Sequence, residues 1–176
     1  SDFVGSYAFY LLGSPFFWIT LIFPNSFVPY LMGPLLILKF ACAALTAYLY
    51  IRRFTKTANA ACLGGLLYAF SGFSIYNIFF NHFHEAIIVF PLLLLAMELL
   101  ITENRRGVFA LAVAMCAITN YFFFFGMVVF CVIYFFIRVG SKAVKVKFSR
   151  FAVLLLEAVL GLALSAVLLL PALNAI

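Results

Sequence analysis

Residues 31–53 read LMGPLLILKFACAALTAYLYIRR, an apolar run with one internal charge, Lys39, closed by Arg52 and Arg53. A helix that crosses a bilayer needs about 20 apolar residues, and loops on the cytoplasmic side carry the excess of Lys and Arg. The stretch therefore predicts a spanning helix over residues 31–51 that ends inside, and it sets the alternation of the runs around it.

The composition agrees with this reading. Hydrophobic residues make up 68% of the 176-residue chain and charged residues 9%. So few charges cannot cover the surface of a water-soluble domain, whereas a surface facing lipid needs none. The chain is expected to be an all-α, polytopic membrane protein whose principal partner is the lipid bilayer. Its net charge of +6 lies in short clusters between apolar runs, which is a topology signal and implies no nucleic-acid partner. Cys42, Cys62, Cys116 and Cys131 all fall inside apolar runs without paired spacing, so they read as small buried apolar residues.

Upstream of the first span, two shorter runs, residues 3–12 and 16–23, are cut by Gly13-Ser14-Pro15 and by Pro24-Asn25-Ser26. Neither is long enough to span, and both are aromatic. They read as interfacial or re-entrant pieces, with one broken span as the alternative. Residues 1–30 are thus expected to be an extracytoplasmic loop with interfacial segments, and residues 31–176 a transmembrane bundle.

Downstream, residues 58–76 return outward with Ala61, Gly65 and Ala69 at four-residue spacing, a stripe that admits a close neighbouring helix. Ser71-Gly72 is expected to kink the outer half. Residues 86–101 cross inward and end at the cluster holding Arg105 and Arg106. Residues 107–139 are long for one span and short for two, and they read as two shortened helices joined at Asn120. One long helix would put Arg105 and Arg138 on opposite sides, against the charge bias. Residues 151–170 cross outward, with Gly161 and Ser165 as a second pair of small residues. The result is about six transmembrane helices. Ten of the eleven Lys and Arg residues then fall in or beside the three cytoplasmic loops, leaving only Lys39 within a span.

This topology gathers the remaining polar groups on the extracytoplasmic face: Asp2, the stretch Asn77-Ile78-Phe79-Phe80-Asn81-His82-Phe83-His84-Glu85, and Asn120. His82, His84 and Glu85 have no helical i, i+4 pair and no evident further ligands, so no metal site is read from them. Hydrated loop residues are the plainer account of the histidines. Glu85 carries more information: its charge could cap the helix that follows or act on a substrate. Lys39 lies about 12 Å into its span at helical rise, a costly depth unless it snorkels, pairs with Glu157 or meets an anion such as a lipid-linked phosphate.

The order of several motifs is similar to the bacterial membrane protein YfhO family, whose members resemble GT-C glycosyltransferases. The resemblance rests on Asp2-Phe3-Val4-Gly5 with Tyr10-Leu11-Leu12 and Ser14-Pro15-Phe16. It continues through Leu38-Lys39, Tyr48-Leu49-Tyr50-Ile51-Arg52-Arg53 and Leu67-Tyr68-Ala69-Phe70-Ser71-Gly72-Phe73. Glu85-Ala86, Pro91-Leu92, Thr119-Asn120-Tyr121 and Leu170-Pro171 complete it.

What the resemblance implies is transfer of a sugar from a polyprenyl-phosphate carrier to an envelope-polymer acceptor, such as a teichoic acid, outside the bacterial cytoplasmic membrane. It further implies a carboxylate in the first extracytoplasmic loop that serves the acceptor hydroxyl as base or as partner of a divalent metal ion, the cofactor itself being left open. On this view the chain is an early fragment, inactive alone, whose family counterpart has a first span and an acidic outer-loop stretch upstream of Ser1. The expected catalytic residues are Glu85 and Asp2. Lys39 is the expected contact to a lipid phosphate, with Asn77, Asn81, His82, His84 and Asn120 lining the outer cavity. The rival expectation is a transporter or flippase for a lipid-linked or anionic substrate; a third is a structural subunit with no site.

Overall fold

The computed structural model describes residues 13–142, 144 and 148–174. Every regular element among them is helical: α1 (Pro15–Thr20), a 3-10 turn (Asn25–Phe27) leading into α2 (Val28–Ile51), α3 (Ala58–Ala69), α4 (Gly72–Tyr76), α5 (Phe83–Glu103), α6 (Val108–Thr119), α7 (Tyr121–Gly140) and α8 (Phe148–Asn174). Five stretches are long and apolar enough to cross a membrane: Asn25–Ile51, Ala58–Tyr76, Phe83–Glu103, Tyr121–Gly140 and Phe148–Val167. The sixth apolar helix, α6, has 12 residues and rises roughly 18 Å, less than the hydrocarbon thickness.

The break expected at Asn120 is present and has a local cause. Its backbone is extended (φ −158°, ψ 96°), and its side chain accepts from the Phe123 backbone N–H, so it starts α7 as an N-cap. The chain reverses there: Arg138, in the last turn of α7, reaches Glu98 near the end of α5. The bend at Ser71-Gly72 is also present, where α3 ends and the single turn α4 begins.

Helix α5 forms the centre. Of its most apolar 18-residue window 72% is buried, against 22–28% for the other four candidate spans, so the other helices are arranged around it. Leu93, Met97, Leu100 and Ile101 of α5 pack with Phe109, Val113 and Cys116 of α6. In lipid the hydrophobic effect no longer drives helices together, and close packing through small residues takes over. Ala61 and Ala69 of α3 have no exposed surface, and a Cβ built on Gly65 would lie 2.6 Å from the Ala44 carbonyl oxygen of α2. Gly161 of α8 bears the same relation to Ala110 of α6, at 2.5 Å, and Ser165 is fully buried. Both small-residue stripes are therefore helix interfaces.

The cationic clusters meet at one end of the bundle. Arg53 pairs with Glu103 at 2.8 Å, Arg105 with Glu103 at 3.0 Å, and Arg138 with Glu98 at 2.6 Å, while Arg150 donates to the Ile101 carbonyl at 2.6 Å. We refer to this as the basic end and to the opposite one as the polar end. Cys116 and Cys131 are buried, Cys42 is half-buried and Cys62 is exposed, and all four are free thiols.

The structure moves one boundary that matters. Helix α5 begins at Phe83, three residues before the expected start of the span, so His84 and Glu85 belong to its first turn. The cause is aromatic packing: Phe83 meets Phe123 edge to face and stacks on Phe80, which anchors the turn that the polar side chains alone would leave in a loop.

Candidate functional site

Three elements converge at the polar end. Gly13-Ser14-Pro15 starts α1, with Ser14 as N-cap accepting from the Phe17 N–H at 3.0 Å and Pro15 supplying the φ that a first helical position needs. Helix α2 brings Lys39, and the first turn of α5 brings Glu85. The Lys39 Nζ lies 2.7 Å from Glu85 Oε1 and donates to the Asn81 carbonyl at 3.0 Å. Ser14 Oγ donates to the same Glu85 oxygen at 2.6 Å. All three side chains are buried, Lys39 at 5% exposure, Glu85 at 3% and Ser14 at 2%.

This arrangement answers how a lysine lies within the span. An ammonium has three donors; two are spent on Glu85 and Asn81, and the charge also lies 5.2 Å from the Phe16 ring centroid. A buried charge with an opposite charge and satisfied hydrogen bonds is tolerable where a lone one is not. Pairing with Glu157 does not occur: Glu157 accepts from the backbone N–H groups of Gly107 (2.7 Å) and Ala110 (3.3 Å), capping α6. A carboxylate suits that position, since helix N-termini carry unsatisfied donors and a positive dipole end.

Glu85 is held by one oxygen only. Its Oε2 is buried and has no hydrogen-bond partner. The side chain lines a cavity of about 500 Å³ between α1, α5 and the end of α6, whose walls include Gly13, Phe16, Trp18, Met115 and Thr119. Gly13 sets the closeness of that junction, because a Cβ there would lie 1.9 Å from the Ile118 carbonyl oxygen.

None of the other expected site residues among the described ones lines this cavity. His84 is buried at 2% exposure, with Nε2 3.0 Å from the Ser74 carbonyl and its ring against Phe40, so it packs between α2, α4 and α5. Asn77 bonds back to the Phe73 carbonyl at 2.9 Å. Asn81 offers its backbone carbonyl to Lys39, and Asn120 is the cap of α7. His82 lies beside the Phe83 ring (4.5 Å between centroids), and its imidazole is pushed below the usual histidine range, chiefly by burial; Lys39 acts in the same direction and Glu85 opposes it. Asp2 lies outside the described residues. Among the described residues no three His, Cys, Asp or Glu side chains converge, and Glu85 already carries the ammonium. A divalent metal does not fit this set.

Sequence reasoning missed Ser14, Phe16 and Trp18 as parts of the site, because the run after residue 13 reads only as a break followed by aromatics. It also missed Glu98. That side chain is 1% exposed and accepts from Arg138 through both oxygens, at 2.6 and 2.9 Å, and from the Tyr134 hydroxyl at 2.6 Å; Tyr134 in turn accepts from Tyr50. The signal was available, since Glu98 is a carboxylate inside an apolar run and Arg138 is the one cation in α7.

No curated protein and no solved structure matches the chain. The sequence model of the family described as bacterial membrane protein YfhO matches residues 1–176. The chain, a multi-pass helical membrane protein whose polar groups meet around Lys39 and Glu85, thus belongs to the YfhO family.

Proposed function

We propose that the protein is a membrane glycosyltransferase of the GT-C kind, which moves a sugar from a polyprenyl-phosphate carrier to a hydroxyl of an envelope polymer on the extracytoplasmic face. The observation that carries this reading is Glu85, a carboxylate fixed through one oxygen by Lys39 and Ser14 while the other oxygen has no partner, on a side chain that lines a cavity. A carboxylate so placed can accept the proton of an acceptor hydroxyl as its oxygen attacks the sugar, a contribution of about 10²–10⁴ in rate. The polar end lies opposite the cationic loops, which is the side the charge bias assigns to the outside.

In this reading Glu85 is the catalytic base and Lys39 and Ser14 position it. Lys39 is no longer the favoured phosphate contact, because its charge is paired with Glu85 and two of its three donors are spent. Family membership supports the membrane context and stops short of the chemistry.

The test is deletion of the full-length gene followed by analysis of envelope-polymer sugars and carrier lipid, with complementation by the wild type and by Glu85→Gln. The expected outcome is lost polymer glycosylation and accumulated carrier-linked sugar, restored by the wild type but not by the variant at equal membrane abundance. Unchanged sugar content on deletion would overturn the reading.

A further inference from the structure

We infer that the groove between α7 and α8 binds an anionic phospholipid of the cytoplasmic leaflet, with one acyl chain lying along the groove and the phosphate at Arg150. This site is at the opposite end of the bundle from Glu85 and is independent of the chemistry proposed above.

The groove selects the chain. A cavity of about 370 Å³ opens between these two helices over a floor of α5 and α6, with Phe124, Val132 and Phe136 on one wall and Phe151, Leu155 and Leu162 on the other. No side chain that lines it carries an oxygen or a nitrogen, so it offers nothing to a polar ligand and suits hydrocarbon. Val132, Phe136 and Leu155 are 51–65% exposed, and the groove is therefore open toward the bilayer. Phe124 and Phe136 are twelve positions apart in α7, about 18 Å along the helix axis. A further helix, about 10–12 Å across, would need roughly 1,400–2,000 Å³ over that length. The cavity holds far less, which selects a single extended chain.

The charges select the head group and its end. Phe135 and Phe151 meet with ring centroids 5.5 Å apart, and Leu154, one turn along from Arg150, lines the groove, so Arg150 stands at its basic mouth. Among the described residues Arg53, Arg105 and Arg138 each have a carboxylate partner. Arg150 has none: it meets only the Ile101 and Thr102 carbonyls, both through Nη1. Its Nε and Nη2 remain as a fork of donors that matches phosphate oxygens. Lys142, exposed in the turn after α7, adds a second cation at this end. At the polar end Lys39 is paired with Glu85, so an anionic head finds no free cation there among the described residues. The Lys and Arg bias assigns the basic end to the cytoplasm, where cations between helices hold anionic lipid heads.

The inference is tested on the full-length protein in lipid nanodiscs with two photoreactive probes at equal mole fraction, a phosphatidylglycerol and a phosphatidylcholine that carry the same diazirine-bearing acyl chain. Labelled peptides are mapped by mass spectrometry. The anionic probe is expected to label Val132, Phe136 or Leu162 at least about fivefold more than the zwitterionic one. Arg150→Gln keeps a donor for the Ile101 carbonyl and should lower that preference about fivefold, the scale of one cation beside an anionic head. Arg52→Gln, at the end of a helix that has no residue in the groove, should leave it unchanged. Leu155→Trp, at a lipid-facing position, should fill the groove and lower labelling by both probes while thermal stability is kept.

Equal labelling by the two probes, a preference unmoved by Arg150→Gln, or groove labelling unmoved by Leu155→Trp would overturn the inference. Absence of groove labels, as when another segment of the full-length chain covers it, would overturn it too. None of these readouts involves polymer sugar, so they decide the lipid site whatever the gene deletion shows.

Discussion

Lys39 Nζ and Glu85 Oε1 lie 2.7 Å apart with both side chains about 95% buried, and they join α2 to α5 at the polar end of the bundle. Removing one partner leaves a buried, uncompensated charge, which costs about 3–5 kcal/mol, whereas replacing both by apolar residues of similar volume is close to neutral. Lys39→Met and Glu85→Leu are each expected to lower the thermal stability of the purified protein markedly, and the double variant to recover most of the loss. Additive losses in the double variant would show that the pair does not act as a unit.

Glu157 caps α6 through the backbone N–H groups of Gly107 and Ala110, two of the donors that a helix start leaves without an intrahelical partner. Glu157→Ala is expected to destabilise the protein by about 1–2 kcal/mol, as loss of a helix cap does. Glu157→Gln keeps one acceptor and is expected to lose less. Hydrogen exchange at the N-terminal amides of α6 would report the effect directly, and unchanged protection in the alanine variant would refute the cap.

The glycines divide by what surrounds them. At Gly65 and Gly161 a Cβ would meet the carbonyl oxygens of Ala44 and Ala110, at 2.6 and 2.5 Å, whereas at Gly126 nothing lies within 4 Å. Gly65→Ala and Gly161→Ala are expected to cost about 1–3 kcal/mol through overpacking. Gly126→Ala is expected to be neutral or slightly stabilising, since alanine is the better helix former. Parallel melting curves in one detergent would test the contrast, and equal tolerance at all three positions would remove the close helix contacts.

The two ends can be assigned to sides by cysteine labelling after the four native cysteines are replaced. Phe79→Cys, at a site 91% exposed on the polar end, should react with an impermeant reagent added to intact cells. Ser141→Cys, in the exposed turn after α7, should react only after permeabilisation. Reaction of both from the same side would overturn the topology.

Much of this architecture was legible in the chain because lipid imposes one-dimensional rules. Apolar length gave the spans, the Lys and Arg clusters gave the alternation, and the Ala61-Gly65-Ala69 and Gly161-Ser165 spacings gave two helix contacts, all of which depend on residues near one another in sequence. Asn120 was readable as a break because its capping bond reaches only three residues along.

The partners of charged residues were not legible in this way. Ser14 and Glu85 are 71 positions apart, Lys39 and Glu85 46, Glu98 and Arg138 40, and Glu157 and Gly107 50. Helical spacing cannot say which cation faces which carboxylate across such separations, so Glu157 stood as one of several alternatives for Lys39 and Glu98 was passed over. By itself the sequence determined a helical membrane bundle with its cations at one end. Only the tertiary structure decided that Lys39 is spent on Glu85 and that one carboxylate oxygen is left over, because that outcome depends on three helices meeting within a hydrogen bond's length.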